Sequence, residues 1–300
     1  MKCAFFLLFI ICTWDNILLS YAVKSLEAEG IVGGDSDEEN EFNYQVSIQV
    51  LKKKSGQFEH TCGGSIISAQ FVLTASHCFV SKDDKQILDV SKSHVRILAG
   101  TNRQDDEDGI YRFIDKVYLN KNYSHSNPFM YGDIAVVKLD EKLDVEDDPR
   151  VSIIKIPRKL KYEKLVNKVA TASGFGIIDF VSNTDEFGEA VTKPILPNTR
   201  QYIDVRIVSK AECTPYEHII CSLFDDADDY KVHGICNGDS GGPLVYKNAL
   251  IGIVSRAAIS CDMRKKTAKF TLVPYYNDFI IRAVRDDGDK SDMLILDGLV

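Results

Sequence analysis

Three short stretches carry residue types that could act together on a peptide or ester bond. Cys236 to Val245 reads CNGDSGGPLV and sets Ser240 among glycines beside Asp239, LTASHC places His77 at the end of an apolar run, and YGDIAVVKL places Asp133 at the start of another. A serine hydroxyl is a weak nucleophile at neutral pH. It becomes effective when a histidine takes its proton and a carboxylate holds that histidine in the right tautomer. Taken singly, each residue also has a structural reading. A glycine-flanked serine is commonly a turn, and a lone histidine or aspartate at a strand end commonly serves packing.

The elements around these residues are short. YQVSIQVL, GGSIISAQFVLTAS, VRILAG, DIAVVKL, YIDVRIV and LIGIVS are rich in Val and Ile and bounded by Gly, Asn and Asp, which predicts strands. Helical periodicity is confined to about Asn277 to Val284, so the chain reads as mostly β with a terminal helix. A charged stretch, Asp140 to Arg150, separates two sets of strands. The acidic segment from 285 to 300 reads as a mobile tail. At the other end, Lys2 and the apolar block CAFFLLFIIC read as a signal peptide ending near Ala22. That block is too short to span a bilayer. A secreted, extracellular protein is expected.

Composition narrows the function classes. The net charge of −8 argues against nucleic acid or an anionic membrane as partner. Acidic clusters at Asp105 to Asp108 and Asp225 to Asp229 read as solvated loops without the regular spacing of a calcium site. Cys3 and Cys12 fall in the leader, which leaves six of the eight cysteines. An even number in a secretory setting favours disulfides, and the spacing of zinc ligands is missing. Neither a metal nor a cofactor is expected. Asn122-Tyr123-Ser124 fits the N-glycosylation pattern.

Gly238 to Gly242 also fits the Gly-x-Ser-x-Gly elbow of α/β-hydrolases, but those enzymes place their histidine after the serine. The last histidine here is His233. Six segments in order, IVGG at Ile31, TASHC, GDIAVVKL, GFG at Gly174, CNGDSGGP and GIVS ending at Ser255, instead resemble a trypsin/chymotrypsin-family serine protease over about 31–284. The resemblance implies an all-β fold of two antiparallel β-barrels, about 31–140 and 151–272, with the active site between them. His77 and Asp133 would come from the first barrel and Ser240 from the second. Ser240 would be the nucleophile, His77 the base, Asp133 its orienting carboxylate, and the N–H groups of Gly238 and Ser240 the oxyanion hole. Family pairing implies disulfides Cys62–Cys78, Cys213–Cys221 and Cys236–Cys261. Protein substrates, protein inhibitors as partners and a monomeric state follow as family expectations.

The same comparison exposes departures. Residues 23–30 would be a propeptide, but Gly30 precedes Ile31 where the family usually has Arg or Lys. Ile31 itself and Asp239, the carboxylate its freed amine should meet, are in place. Arg256 and Ala257 follow Ser255 where an aromatic residue and glycine are usual, and Phe175 stands where tryptophan is more common. The pocket for the residue before the scissile bond would have Gly234 at its floor and Ser255, Ala257 and Ala268 in its walls. Without a carboxylate at Gly234, cleavage after uncharged side chains of small to medium size is expected. The alternative is a protease homologue that keeps the scaffold as a secreted binding module.

Overall fold

The computed structural model describes residues 30–81, 86–127, 129–184, 190–214, 216–224, 234–256, 261, 267–285 and 290–298. The chain starts with a two-residue strand, β1 (Asp35–Ser36). The first sheet then takes β2 (Gln45–Lys52), β3 (Gln57–Ser68), β4 (Phe71–Thr74), β5 (Val95–Ala99), β6 (Ile110–Arg112), β7 (Ile114–Asn120) and β8 (Ala135–Leu139). β9 (Val169–Gly174) opens the second sheet, and β10 (Asp179–Thr184) pairs with β11 (Ala190–Ile195) as a separate hairpin. β12 (Gln201–Ile207), β13 (Ile219–Leu223), β14 (Pro243–Tyr246), β15 (Ala249–Arg256) and β16 (Ala268–Leu272) complete the second sheet, and a helix, Asn277–Arg285, precedes β17 (Met293–Asp297).

The second sheet closes on itself in the order β9-β12-β13-β16-β15-β14-β9, a six-stranded antiparallel barrel with β1 added on β12. The first runs β17-β7-β8-β4-β3-β2-β5-β6 and is a half-barrel whose ends, among the described residues, share no ladder. The apolar run of β8 shows how one strand serves two layers. Ala135, Val137 and Leu139 point into the half-barrel core. Ile134 and Val136 face a second layer that holds Tyr276, Phe279, Ile280 and Ala283 of the terminal segment. Alternate side chains of a strand point to opposite faces, so a run without polar interruptions is what a strand covered on both sides requires. Burying Phe279 and Ile280 contributes about 2–3 kcal/mol each. The helix thereby clamps the strand that begins just after Asp133.

The acidic tail departs from the expectation of mobility. β17 pairs antiparallel with β7 from Met293↔Asn120 to Asp297↔Lys116. Met293 is buried in the layer beneath the helix, and the Arg282 guanidinium donates to both Asp292 oxygens at 2.9 and 2.6 Å. The tail therefore caps the β7 edge of the half-barrel. Residues 286–289 and 299–300 of it lie outside the described residues, as do the leader and residues 23–29.

Candidate active site

His77 sits in a single turn, Ser76–Cys78, directly after β4. Three contacts fix that turn. The Cys62–Cys78 disulfide ties it to β3 with Cα atoms 6.2 Å apart, Ser76 Oγ donates to the Ile134 carbonyl at 2.7 Å, and the His77 N–H donates to Asp133 Oδ1 at 3.0 Å. The imidazole Nδ1 lies 2.9 Å from Asp133 Oδ2 and 3.1 Å from Oδ1. A carboxylate only accepts, so Nδ1 carries the proton and Nε2 is left with a lone pair that can take one. Ser255 Oγ also donates to Asp133 Oδ2, and Thr271 Oγ1 holds the Asp133 carbonyl at 2.8 Å. Asp133 is thus satisfied from both the half-barrel and the closed barrel.

Electrostatics follow from these contacts. Burial works against ionised Asp133, but the His77 charge and the hydrogen bonds from His77 and Ser255 outweigh it and hold the carboxyl below its usual range. Burial likewise opposes a charged His77, and Arg256 adds to that opposition. The Asp133 carboxylate and its hydrogen bond win, and the His77 pKa stands above its usual value. His77, Asp133, Ser240, Ser255 and Arg256 all line one cleft of about 470 Å³, together with Cys236 and Asn237 of the glycine-rich loop.

That loop is built by close approach. Gly238 has φ +104° and Gly241 φ +76°, conformations that residues with a Cβ rarely adopt. A Cβ on Gly241 would come within 2.5 Å of the Gly63 carbonyl. The Gly63 N–H donates to the Ser240 carbonyl at 2.7 Å, so the half-barrel grips the serine's own backbone. The Asn237 carbonyl accepts from Ile177 and the Asp239 carbonyl accepts from Gly242, each at 2.9 Å. In a trans peptide the C=O and N–H point in opposite directions. The N–H groups of Gly238 and Ser240 are therefore turned away from those bonds, and neither meets an acceptor among the described residues.

Asp239 lies behind the loop, 1% exposed. Its oxygens accept from Gly176 and Cys236 N–H, each at 2.8 Å. A Cβ on Gly174 would stand 1.9 Å from Asp239 Oδ1, and one on Gly176 2.6 Å from the same carboxyl. The GFG segment is glycine at both positions because the carboxyl occupies that space. Burial outweighs the two N–H bonds and pushes the Asp239 pKa up to about 7. Ile31 is buried at 1% with φ 41°, and Val32 bridges to Gly234, whose N–H donates to the Val32 carbonyl at 3.0 Å.

Gly234 and Ala268 are buried and do not border the cleft, and Ala257 lies outside the described residues, as do Asp225 to Asp229 and His233. Disulfides join Cys213 to Cys221 and Cys236 to Cys261. The metal-capable grouping among the described residues is Cys62, His77 and Cys78, and both sulfurs there are spent in a disulfide. Asn122 is exposed.

Two contributors carry no motif. His60 of β3 has Nε2 2.8 Å from the Gly238 carbonyl and Nδ1 2.7 Å from Ser47 Oγ. The carbonyl can only accept, so Nε2 donates and Nδ1 accepts from the serine. Burial lowers the His60 pKa to about 4, which keeps the ring neutral in this bridge. Arg200 is 0% exposed and donates to Asp37 Oδ2 at 2.7 and 2.9 Å, and its guanidinium lies 5.5 Å from the Phe175 ring centre. It ties the chain that follows Ile31 to the loop around Asp239. A polar residue whose partner is 163 positions away leaves no local signal.

The trypsin family profile matches residues 31–280. Rat chymotrypsin-C is 29% identical over 264 residues, covering 83% of this chain and 87% of the relative. Trypsin alpha of Drosophila melanogaster is 32% identical over 235 residues, covering 75% and 76%. Among solved structures, human heparin binding protein superposes with a TM-score of 0.63 at 22% identity over 86% of this chain and 98% of that one. Neuropsin from mouse brain gives 0.65 at 21% identity over 85% and 100%. The structures share the fold, and the profile spans most of the sequence: this chain belongs to the trypsin family and is a serine endopeptidase.

Proposed function

We propose that the protein is a secreted endopeptidase that works through an acyl-enzyme on Ser240. The observation that carries this reading is a single cleft that contains Ser240 and the His77–Asp133 pair, beside two N–H groups with no described acceptor. His77 Nε2 takes the proton of Ser240 Oγ as that oxygen bonds to the substrate carbonyl carbon. The carbonyl oxygen becomes an oxyanion between the N–H groups of Gly238 and Ser240. The same proton then passes to the leaving amine as the C–N bond breaks. Water repeats the sequence on the acyl-enzyme and restores Ser240. Asp133 stays ionised throughout, directing Nδ1–H and stabilising the imidazolium.

Activation is read from Ile31 and Asp239. A β-branched residue at φ 41° is strained, and cutting after Gly30 removes the peptide unit that defines that angle. The freed amine, with an ordinary pKa of about 8, supplies a cation to a buried carboxyl that has none among its described contacts. Specificity is read from the cleft lining: the carboxylate among its described residues is Asp133, which His77 and Ser255 already engage, so Leu, Met or Ala before the scissile bond is favoured over Arg or Lys. Protein substrates and protein inhibitors are its partners, as for the family. No helix among the described residues is long and apolar enough to cross a membrane, and secretion rests on the leader. Organophosphonate treatment of the chain beginning at Ile31 should modify Ser240 and leave the Ser240→Ala variant untouched. Folded protein beginning at Ile31 that takes up no label would overturn the enzyme reading of this cleft.

A further inference from the structure

β15 loses one neighbour just where the cleft begins. Its ladder with β14 ends at Pro243↔Ile253, and two more bonds, Gly241 N–H to the Val254 carbonyl and Val254 N–H to the Gly242 carbonyl, carry the contact to Val254. Beyond that point, among the described residues, Arg256 pairs on the β16 side alone, where a register shift across Ser255 sets it opposite Lys269. An extended chain approaching Ser240 can add as a strand along this edge. Ser255 spends its hydroxyl on Asp133. Arg256 is exposed and borders the cleft with His77, Tyr123 and Asn127.

Among the described residues the charge at this edge is unbalanced. Like charges directly opposite one another in a ladder are destabilising, and Arg256 faces Lys269. Neither forms an ion pair with a carboxylate among the described residues, in a chain whose net charge is −8. The field of Arg256 also reaches His77 and opposes its protonation. An arrangement that costs stability and hinders the cationic intermediate of the catalytic base is relieved when an anion lies between the two groups.

We infer that Arg256 forms a subsite for a carboxylate side chain of the substrate, at the second residue counted back from the scissile bond. In an extended chain successive side chains turn to opposite faces. The first residue enters the primary pocket, and the next turns toward His77 and Arg256. A guanidinium presents a planar fork that matches a carboxylate with two parallel hydrogen bonds, which Lys or Gln cannot reproduce. The inference rests on the proposed protease reading, since it takes Ser240 as the point of attack. The preferred substrate segment is then an acidic residue followed by an uncharged one.

Peptides identical except for Glu, Gln or Lys at that second position test it with protein processed at Ile31 and titrated for active Ser240. Wild type should show kcat/KM about tenfold higher for Glu than for Gln, and a wider gap to Lys, as close charge pairs give. The Glu advantage should shrink as salt rises. Arg256→Gln should bring the Glu-to-Gln ratio to about one, and Arg256→Glu should make Lys the preferred residue. A Glu-to-Gln ratio of one in wild type, or a Glu preference that survives Arg256→Gln, overturns the inference. Equilibrium binding of the same peptides to the Ser240→Ala variant separates the two readings. A Glu preference in binding without hydrolysis by wild type sinks the protease and keeps the subsite, whereas equal binding of all three sinks the subsite.

Discussion

Asp133 and Asp239 are both nearly inaccessible, 2% and 1% exposed, and burial penalises the charge of each, yet they end with opposite preferences. Asp133 meets a histidine that can share its charge and a serine that donates to it, and it stays below the usual carboxyl range. Asp239 meets two backbone N–H groups and is pushed up to about 7. At Asp239 two N–H dipoles do not offset the loss of water around a full charge, whereas at Asp133 the histidine and its hydrogen bonds do. Asp37, also buried, meets Arg200 in a two-bond ion pair. Among the described residues, the site around Asp133 and His77 is electrically complete in the intact chain. The site behind the loop of Gly238 to Ser240 is not, and what it lacks among those residues is a positive charge.

Breaking the complete site has the largest expected effect. Asp133→Asn keeps the shape but removes the negative charge and permits the wrong tautomer, so kcat/KM should fall by roughly 10⁴-fold. The direction of the accompanying pH change is fixed by its causes. Asp133 alone raises the His77 pKa, while burial and Arg256 lower it, so the variant's histidine should lose its proton at lower pH than wild type. The acid limb of kcat/KM should therefore move to lower pH as the plateau drops. A limb that moves upward would contradict the assignment of Asp133 as the source of the shift.

The buried pair at Arg200 should come next. Arg200→Leu removes the buried partner of Asp37, and one partner lost from such a pair costs about 3–5 kcal/mol. Urea unfolding of Arg200→Leu against Arg200→Leu with Asp37→Ala distinguishes charge from packing. The double variant should recover most of the loss, because it no longer buries a lone charge. A single variant within about 1 kcal/mol of wild type would mean that water reaches Asp37 when the guanidinium is gone.

How far these features were legible in the sequence depended on the range of the contact. The six apolar stretches and the terminal helix are local patterns, and each falls on an observed element, whereas strands such as β10 and β11 were not read from the sequence. Gly174 and Gly176 were legible as a motif, but their reason, the Asp239 carboxyl in the space of two missing side chains, needs positions 63 residues apart to be seen together. His60 and Arg200 act on partners 178 and 163 residues away, and neither stands in a recognisable pattern. The tail misled for a different reason. Only Met293 of β17 is buried, and Leu294 and Ile295 are both exposed. A strand that caps an edge without burying a face shows no period-two alternation, and the acidic residues before it read as solvent-loving.

The incomplete site makes the third test, with an expected effect of about 2–4 kcal/mol. A carboxyl that titrates near 7 when folded and near 3.8 when exposed binds more protons in the folded state across that interval. Folding then loses stability as pH rises through it. An asparagine side chain does not ionise, so the unfolding free energy of wild type minus that of Asp239→Asn, measured on the intact chain, should decline from pH 4 to pH 8. The amide can accept from only one of the N–H groups of Gly176 and Cys236, and that misfit lowers the variant by a constant amount at every pH. It displaces the difference curve without tilting it, so the slope reports the ionisation alone. In the chain beginning at Ile31 the freed ammonium should flatten the slope, because the charge that burial penalised now has a partner. A slope that is already flat in the intact chain would mean that Asp239 does not titrate in this range there, and the contrast with Asp133 would then be one of packing and not of charge.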